Sequence, residues 1–353
     1  MVVMADKSVP TSDHIRDIIS FVEASPTSYH AVAELTRRLE QAGFQRLEET
    51  ESWPSVEGRR YVVRDGAVIA WITPEKVTPQ LGARIVGSHT DSPSFKLKPN
   101  ATVTNQGWQQ VGMEVYGGGL LNSWLDRDLG LSGRLVTCDG QAHLVRTGPI
   151  LRISQLAPHL DRTVNDDLKL DRQRHLMPIL SVGKPDLDVE DLLCEAAGIK
   201  RDELAFHDVF AHLTQSPAII GPYGEFLASQ RMDNLSSVHS SVAAFVDVKP
   251  TSDVAVMACF DHEEVGSATR SGACGPFLED VLVRIAEGFG MTGAAYRAMI
   301  AKSSCVSSDA GHGVHPNYVE KFDPANHPLL NEGPLLKICL LYTSPSPRDG
   351  LLS

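Results

Sequence analysis

Cysteine is scarce in this sequence of 353 residues: Cys138, Cys194, Cys259, Cys274, Cys305 and Cys339 are scattered, and no two form a CxxC pair. That spacing argues against a cysteine-built zinc site and fits buried or free thiols in a reducing compartment. Long apolar runs are lacking too. The longest clean one, Val254 to Phe260, is seven residues, against about 20 for a membrane-spanning helix, so no membrane partner is expected. Met1 to Ser8 carries no apolar segment of the secretory type, and a cytosolic location follows by default. Positive charge is in short supply, with 32 Lys and Arg against 44 Asp and Glu, a net charge of −12, and no basic stripe. Nucleic acid is therefore not an expected partner. An acidic ligand would meet an unfavourable long-range field and would need a local metal or lysine to hold it. Several hydrolase and nucleotide motifs are also missing. There is no HExxH and no GxSxG, and Gly117-Gly118-Gly119 is followed by no Gly-Lys-Ser/Thr, which sets aside a zincin, a serine-hydrolase elbow and a phosphate loop.

What is present is a well-patterned globular chain. Apolar residues make up 42%, enough for a large core, and the length suggests two domains at roughly 150 residues each. Ile15, Ile18, Ile19 and Val22 follow helical spacing behind Ser12 as N-cap. Val32, Leu35, Leu39 and Ala42 mark a second helix that stops at Gly43. Tyr61–Val63 and Ala67–Ile72 read as a hairpin around Asp65-Gly66, and Arg84–Gly87 as a short buried strand. From Phe95 to about Gly224 the texture turns β-like and glycine-rich, with strands at Val111–Tyr116 and Leu131–Cys138 and one short helix over Asp188–Ala197. The α/β rhythm then returns. Leu235, Val238, Val242 and Phe245 share a helical face. Val254–Phe260 reads as a parallel strand buried on both faces, Phe277–Ile285 as a helix and Ser303–Val306 as a strand. The pattern is an α/β domain interrupted by a β-rich insertion.

Acids and histidines collect at the predicted strand ends, where open α/β sheets place their ligands. His89 and Asp91 follow the first strand, Asp261-His262-Glu263-Glu264 the second and Asp309 the third, while Asp233 stands where the Leu235 helix begins. Singly, each has a plainer reading: a satisfied turn histidine, a helix N-cap, a solvated acidic loop, a turn aspartate. Together they supply what two-metal hydrolysis requires: a carboxylate able to bridge (Asp233), terminal ligands, and a free carboxylate as base. One terminal ligand is lacking. Asp91, two residues beyond His89, faces the same side of an extended chain and is placed to hold the other ring nitrogen.

The motifs Gly87-Ser88-His89-Thr90-Asp91-Ser92-Pro93, Gly117-Gly118-Gly119, Trp124-Leu125-Asp126-Arg127-Asp128, Asp261-His262-Glu263-Glu264-Val265-Gly266-Ser267 and His312-Gly313-Val314-His315-Pro316-Asn317-Tyr318 resemble, in this order, the aspartyl aminopeptidases. Asp261-His262 and Gly275-Pro276-Phe277-Leu278-Glu279 resemble the bacterial branch. The resemblance covers about Ser12 to Ile338. It implies an α/β metallopeptidase domain, a central mixed sheet flanked by helices, interrupted by an inserted β-rich dimerisation domain. The divisions fall at 1–92, 93–224 and 225–338. It further implies two divalent metal ions, most simply zinc, one held by His89, Asp233 and Asp309 and the other by Asp233 and Glu264, with Glu263 as general base. His159 would reach the active site of a neighbouring subunit, Lys337 would contact the acidic side chain of the substrate, and His312 and His315 would be structural. The assembly implied is a homo-oligomer of dimers forming a dodecamer, and the activity is removal of Asp or Glu from peptide N-termini. A related two-metal deacylase or carboxypeptidase is the alternative enzyme, and an inactive shell-forming protein the alternative non-enzyme.

One departure stands out. The family continues for about a hundred residues beyond Lys337, including the last histidine ligand of the second zinc. Here residues 339–353 begin Cys339-Leu340-Leu341-Tyr342-Thr343-Ser344-Pro345-Ser346-Pro347-Arg348-Asp349, which looks like a translated sequencing adaptor. The expectation is a truncated, inactive chain that holds at most one zinc tightly and leaves apolar surface open on the Leu235 and Phe277 helices.

Overall fold

The structure is a computed structural model and describes residues 12–78, 81–184 and 186–337. The adaptor-like tail, Cys339 and the residues before Ser12 lie outside that range. Helix α1 (Asp13–Ala24) opens on Ser12, whose Oγ accepts the Ile15 amide at 3.3 Å, and α2 (Ser28–Gln41) opens on Thr27 in the same way. Such caps satisfy amides that the first helical turn leaves without partners. Gly43, at φ +82°, turns the chain out of α2 into β1 (Gln45–Arg46). Strands β2 (Arg59–Arg64) and β3 (Ala67–Ile72) form the expected hairpin, with Asp65 at φ +56° in its tight turn, and β4 (Ala83–His89) runs to His89.

A β-rich stretch follows as β5 (Ser94–Asn105), β6 (Trp108–Tyr116), β7 (Asp128–Thr137), β8 (Ala142–Arg146), β9 (Leu151–Arg152), β10 (Ile179–Val182), α3 (Val189–Ala197), β11 (Leu204–Leu213) and β12 (Ala218–Ile220), and β12 pairs across residue 224 with β13 (Phe226–Ala228). Its main sheet runs β11-β5-β6-β10-β9-β7-β8, and β11 also pairs with β7, closing a barrel-like ring with β8 on its outside. Closure removes free edges that would otherwise template pairing. Gly133 permits it: a Cβ there would come within 2.1 Å of the Asp208 carbonyl on β11.

The chain then returns to the first sheet through α4 (Met232–Phe245), β14 (Val254–Phe260), α5 (Phe277–Gly288), α6 (Ala294–Lys302) and β15 (Ser304–Ser307). The order is β1-β2-β3-β14-β4-β15. Strand β3 shows why its residues are all apolar. Val68, Ala70 and Ile72 enter one core, beneath α1, α2 and α4, while Ala67, Ile69 and Trp71 enter another, beneath α5 and α6. A period of two between two buried faces leaves no polar position.

Two expectations change. Strand β14 is buried on both faces as read, but it is parallel only to β4; β3 on its other side runs antiparallel. The apolar faces of the Leu235 and Phe277 helices are not left open either: Leu235, Val238, Val242, Phe277, Val281 and Ile285 are all buried against the sheet. Exposed large apolar side chains lie elsewhere; they include Leu120 and Leu160 in the β-rich stretch, Val306 on the edge strand β15, and Leu329, Leu330, Leu335 and Leu336. Among the described residues, no helix is long and apolar enough to cross a membrane.

Candidate metal centre

Strands β4, β14 and β15 are mutually parallel in register, with Phe260 beside His89 and Ser307 beside Gly87, so their carboxyl ends share one edge of the sheet. His89 is the last residue of β4. Glu263 and Glu264 form a short turn after β14, and Asp309 follows β15. Asp233 arrives from the start of α4, where Asp233 and Asn234 depart from helical geometry and their peptide bond is cis. Hydrogen bonds staple these segments together. The Ser92 hydroxyl donates to the Asp233 carbonyl at 2.6 Å, Asn234 Nδ2 to the Ser308 carbonyl at 2.9 Å, and Arg231 to the Thr90 carbonyl at 2.8 Å.

The side chains converge on His89. Its Nε2 lies 3.2 Å from Asp233 Oδ1, 3.6 Å from Asp309 Oδ1 and 4.0 Å from Glu263 Oε2. Ligand atoms of His89, Asp233 and Glu264 fall within 4.8 Å of one another. Burial divides the group: His89, Asp91 and Glu264 are buried, whereas Asp233 and Glu263 are half-exposed.

Asp91 lies against the other ring nitrogen of His89: Nδ1 is 3.1 Å from the Asp91 backbone carbonyl and 3.4 Å from its carboxylate. The carboxylate also accepts three further donors, the Glu263 amide at 3.1 Å, the Glu264 amide at 3.1 Å and the Tyr116 hydroxyl at 2.8 Å. Burial opposes its charge, but His89 and then the Tyr116 hydroxyl and the Glu264 amide outweigh that and hold the carboxyl below its ordinary range.

Electrostatics test whether the cluster fits a cation. Burial lifts Glu264 to about 8, with the Asp91 charge adding to it, and raises Glu263 as well. Burial disfavours a charged His89, yet Asp233, Asp309 and Asp91 overcome it and push the imidazole up to about 12. Five carboxylates around one imidazole and Lys337 form a site short of positive charge, and imidazole nitrogen with carboxylate oxygen is a donor set suited to zinc. The residues fit a divalent metal.

Lys337 lies beside the cluster, donating to Asp309 Oδ2 at 3.0 Å and to the Ala310 carbonyl at 3.2 Å. His159 lies in an exposed turn of the barrel and joins none of these contacts within the chain. His312 and His315 are exposed. Sequence reasoning missed Ser92, Asn234, Arg231 and Tyr116. The first three sit within a residue or two of residues it named, but their acceptors lie on distant segments. Tyr116 had one signal, an aromatic residue ending a predicted strand against three glycines.

The sequence matches, over residues 21–342, the family described as aminopeptidase I zinc metalloprotease (M18). It is 46% identical over 333 residues to a probable M18 family aminopeptidase 2 of Streptomyces coelicolor, covering 92% of this chain and 77% of that protein. Its identity to the corresponding protein of Streptomyces avermitilis is 48% over 336 residues, with the same coverage. Among solved structures it superposes on Ape4 from a cryo-EM complex of Ape4 and Nbr1, with a TM-score of 0.86 and 32% identity, covering 91% of this chain and 67% of that one. It also superposes on the yeast mApe1 dodecamer, with a TM-score of 0.79 and 26% identity, covering 91% and 77%.

Proposed function

The chain belongs to the M18 family of zinc aminopeptidases, and we propose that its activity is the removal of N-terminal Asp and Glu from peptides at a two-metal site. The carrying observation is the convergence of His89, Asp233, Glu263, Glu264 and Asp309 at one sheet edge. In this reading His89, Asp233 and Asp309 hold one zinc, and Asp233 and Glu264 take part in holding a second. Bound zinc supplies Lewis-acid polarisation of the scissile carbonyl and lowers the pKa of water. Glu263 is the general base: it is half-exposed, its backbone amide is held by Asp91, and burial raises its carboxyl above the ordinary range. Lys337, whose ammonium lies beside Asp309 at 3.0 Å, meets the acidic side chain of the substrate. The five described cysteines are all free thiols, in keeping with a reducing cytosol.

The division at 93–224 and the role of the β-rich unit in dimerisation belong to the same proposal, with His159 contributed across subunits. Its support is that His159 stands exposed on the barrel, while a relative of the same fold is described as a dodecamer. The 353-residue chain by itself is proposed to be inactive, because the described residues give the second metal two carboxylates and no histidine of its own, whereas catalytic zinc sites use three protein ligands. The test compares hydrolysis of Asp-, Glu- and Ala-terminated peptides, with free and blocked α-amines, in a form completed to the length of its relatives. Turnover indifferent to the α-amine would place the protein among deacylases or carboxypeptidases and reject the reading.

A further inference from the structure

The triple glycine and the tyrosine before it have no part in the function so far. Tyr116 ends β6 in the inserted barrel, yet its hydroxyl reaches Asp91 Oδ2 at 2.8 Å. The ring is 8% exposed and packs edge-on against Phe210, with centroids 5.1 Å apart, in a small cluster with Tyr29. Gly117 follows at φ +75°, and a Cβ there would come within 2.9 Å of both Cβ and Oε2 of Glu264; one on Gly119 would meet Pro93 at 2.9 Å. The glycines therefore let the backbone pass directly against the Glu264 carboxylate.

We propose that Tyr116 is a positioning residue for the candidate metal site, holding the Asp91 carboxylate in the one orientation that grips the amides of both Glu263 and Glu264; the proposal rests on the metal reading of that cluster. Without the Tyr116 hydroxyl, Oδ2 of this buried carboxylate keeps only the Glu264 amide, and its orientation is less tightly fixed. Oδ1 receives the Glu263 amide and Oδ2 the Glu264 amide, so a turn about the carboxylate axis loosens both at once. The base and a ligand then shift together, although Tyr116 touches neither side chain. Through this bond the inserted barrel becomes part of the catalytic centre.

The experiment compares Tyr116→Phe with Tyr29→Phe, which removes another buried hydroxyl of the same aromatic cluster, the one that donates to Asp208. Amide hydrogen exchange is followed in the metal-free 353-residue chain. Exchange at Glu263 and Glu264 should quicken by about tenfold or more in Tyr116→Phe, with β3 and β14 unchanged, and by less than about twofold in Tyr29→Phe. Co²⁺ affinity should fall about 10- to 100-fold in Tyr116→Phe alone. Unchanged exchange at the two glutamates, equal acceleration in Tyr29→Phe, or acceleration spread through β3 each overturns the role of Tyr116. A parent chain that takes up no Co²⁺ while the exchange pattern holds overturns the metal reading instead and leaves Tyr116 as the organiser of the Glu263-Glu264 turn.

Discussion

Lys337 Nζ donates to Asp309 Oδ2 at 3.0 Å, so the lysine assigned to the substrate is held by a carboxylate assigned to the metal. Burial opposes the Asp309 charge, but His89 and Lys337 prevail and draw its carboxyl down to about 2. Nζ also donates to the Ala310 carbonyl at 3.2 Å, which leaves its third donor for an acidic side chain. The overall charge of −12 repels such substrates, and the proposed function therefore assigns the selectivity to this local cation. A hydrogen bond to a charged group is worth about 1.5–3 kcal/mol, or about 10- to 100-fold. In a form of relatives' length, Lys337→Ala should lower kcat/KM by that factor more on Asp-terminated than on Ala-terminated peptides. Equal losses on both would remove Lys337 from substrate recognition.

Glu263 and Glu264 are neighbours in sequence but differ in setting, one half-exposed and the other buried. In the same extended form, Glu263→Gln should keep its metal and lose at least ~10²-fold in kcat, the lower range for loss of a general base. Metal content by elemental analysis accompanies the kinetics. Near-normal turnover in a metal-replete variant assigns the base elsewhere.

For the 353-residue chain, His89 with Asp233 and either Asp309 or Glu264 provides one set of three donors. The expected result of equilibrium dialysis is at most one tightly bound zinc per chain and no aminopeptidase turnover, against two zinc ions and activity in the extended form. Two tight zinc ions with full turnover in the short chain would contradict both the ligand assignment and the proposed inactivity.

Away from the site, Asp17 on α1 pairs with Arg38 on α2 at 2.6 Å and with His239 on α4 at 2.7 Å, tying three helices together over one core. Arg38 draws its carboxyl down to about 2, burial resisting and His239 assisting. A depressed acid stabilises fully above its unfolded value of 3.8 and loses that contribution as pH falls through about 2. Wild type should therefore exceed Asp17→Asn in denaturant midpoint by a constant margin above about pH 5, and the margin should shrink steadily between pH 4 and pH 2. A margin that stays constant down to pH 2 would show that the pair contributes nothing through ionisation.

How much was legible in the sequence depends on the range of the interaction. Ser12 capped its helix and Gly43 ended the next because those signals act within a few residues. The six apolar residues of β3 and the seven of β14 determined burial on both faces, since side-chain alternation is local. That His89, Glu263, Glu264 and Asp309 share one sheet edge was readable because each follows a strand that ends there. Tertiary structure alone decided the rest. Whether β14 runs with or against each neighbour depends on connections, and both directions bury the same residues. Closure of the barrel needed β11 to reach β7 beside Gly133. Asp91 was placed in sequence beside His89, where its carboxylate lies, but that carboxylate also serves amides 172 and 173 residues away and a hydroxyl 25 residues away. An acceptor's identity is written in one residue, but its donors are chosen by packing.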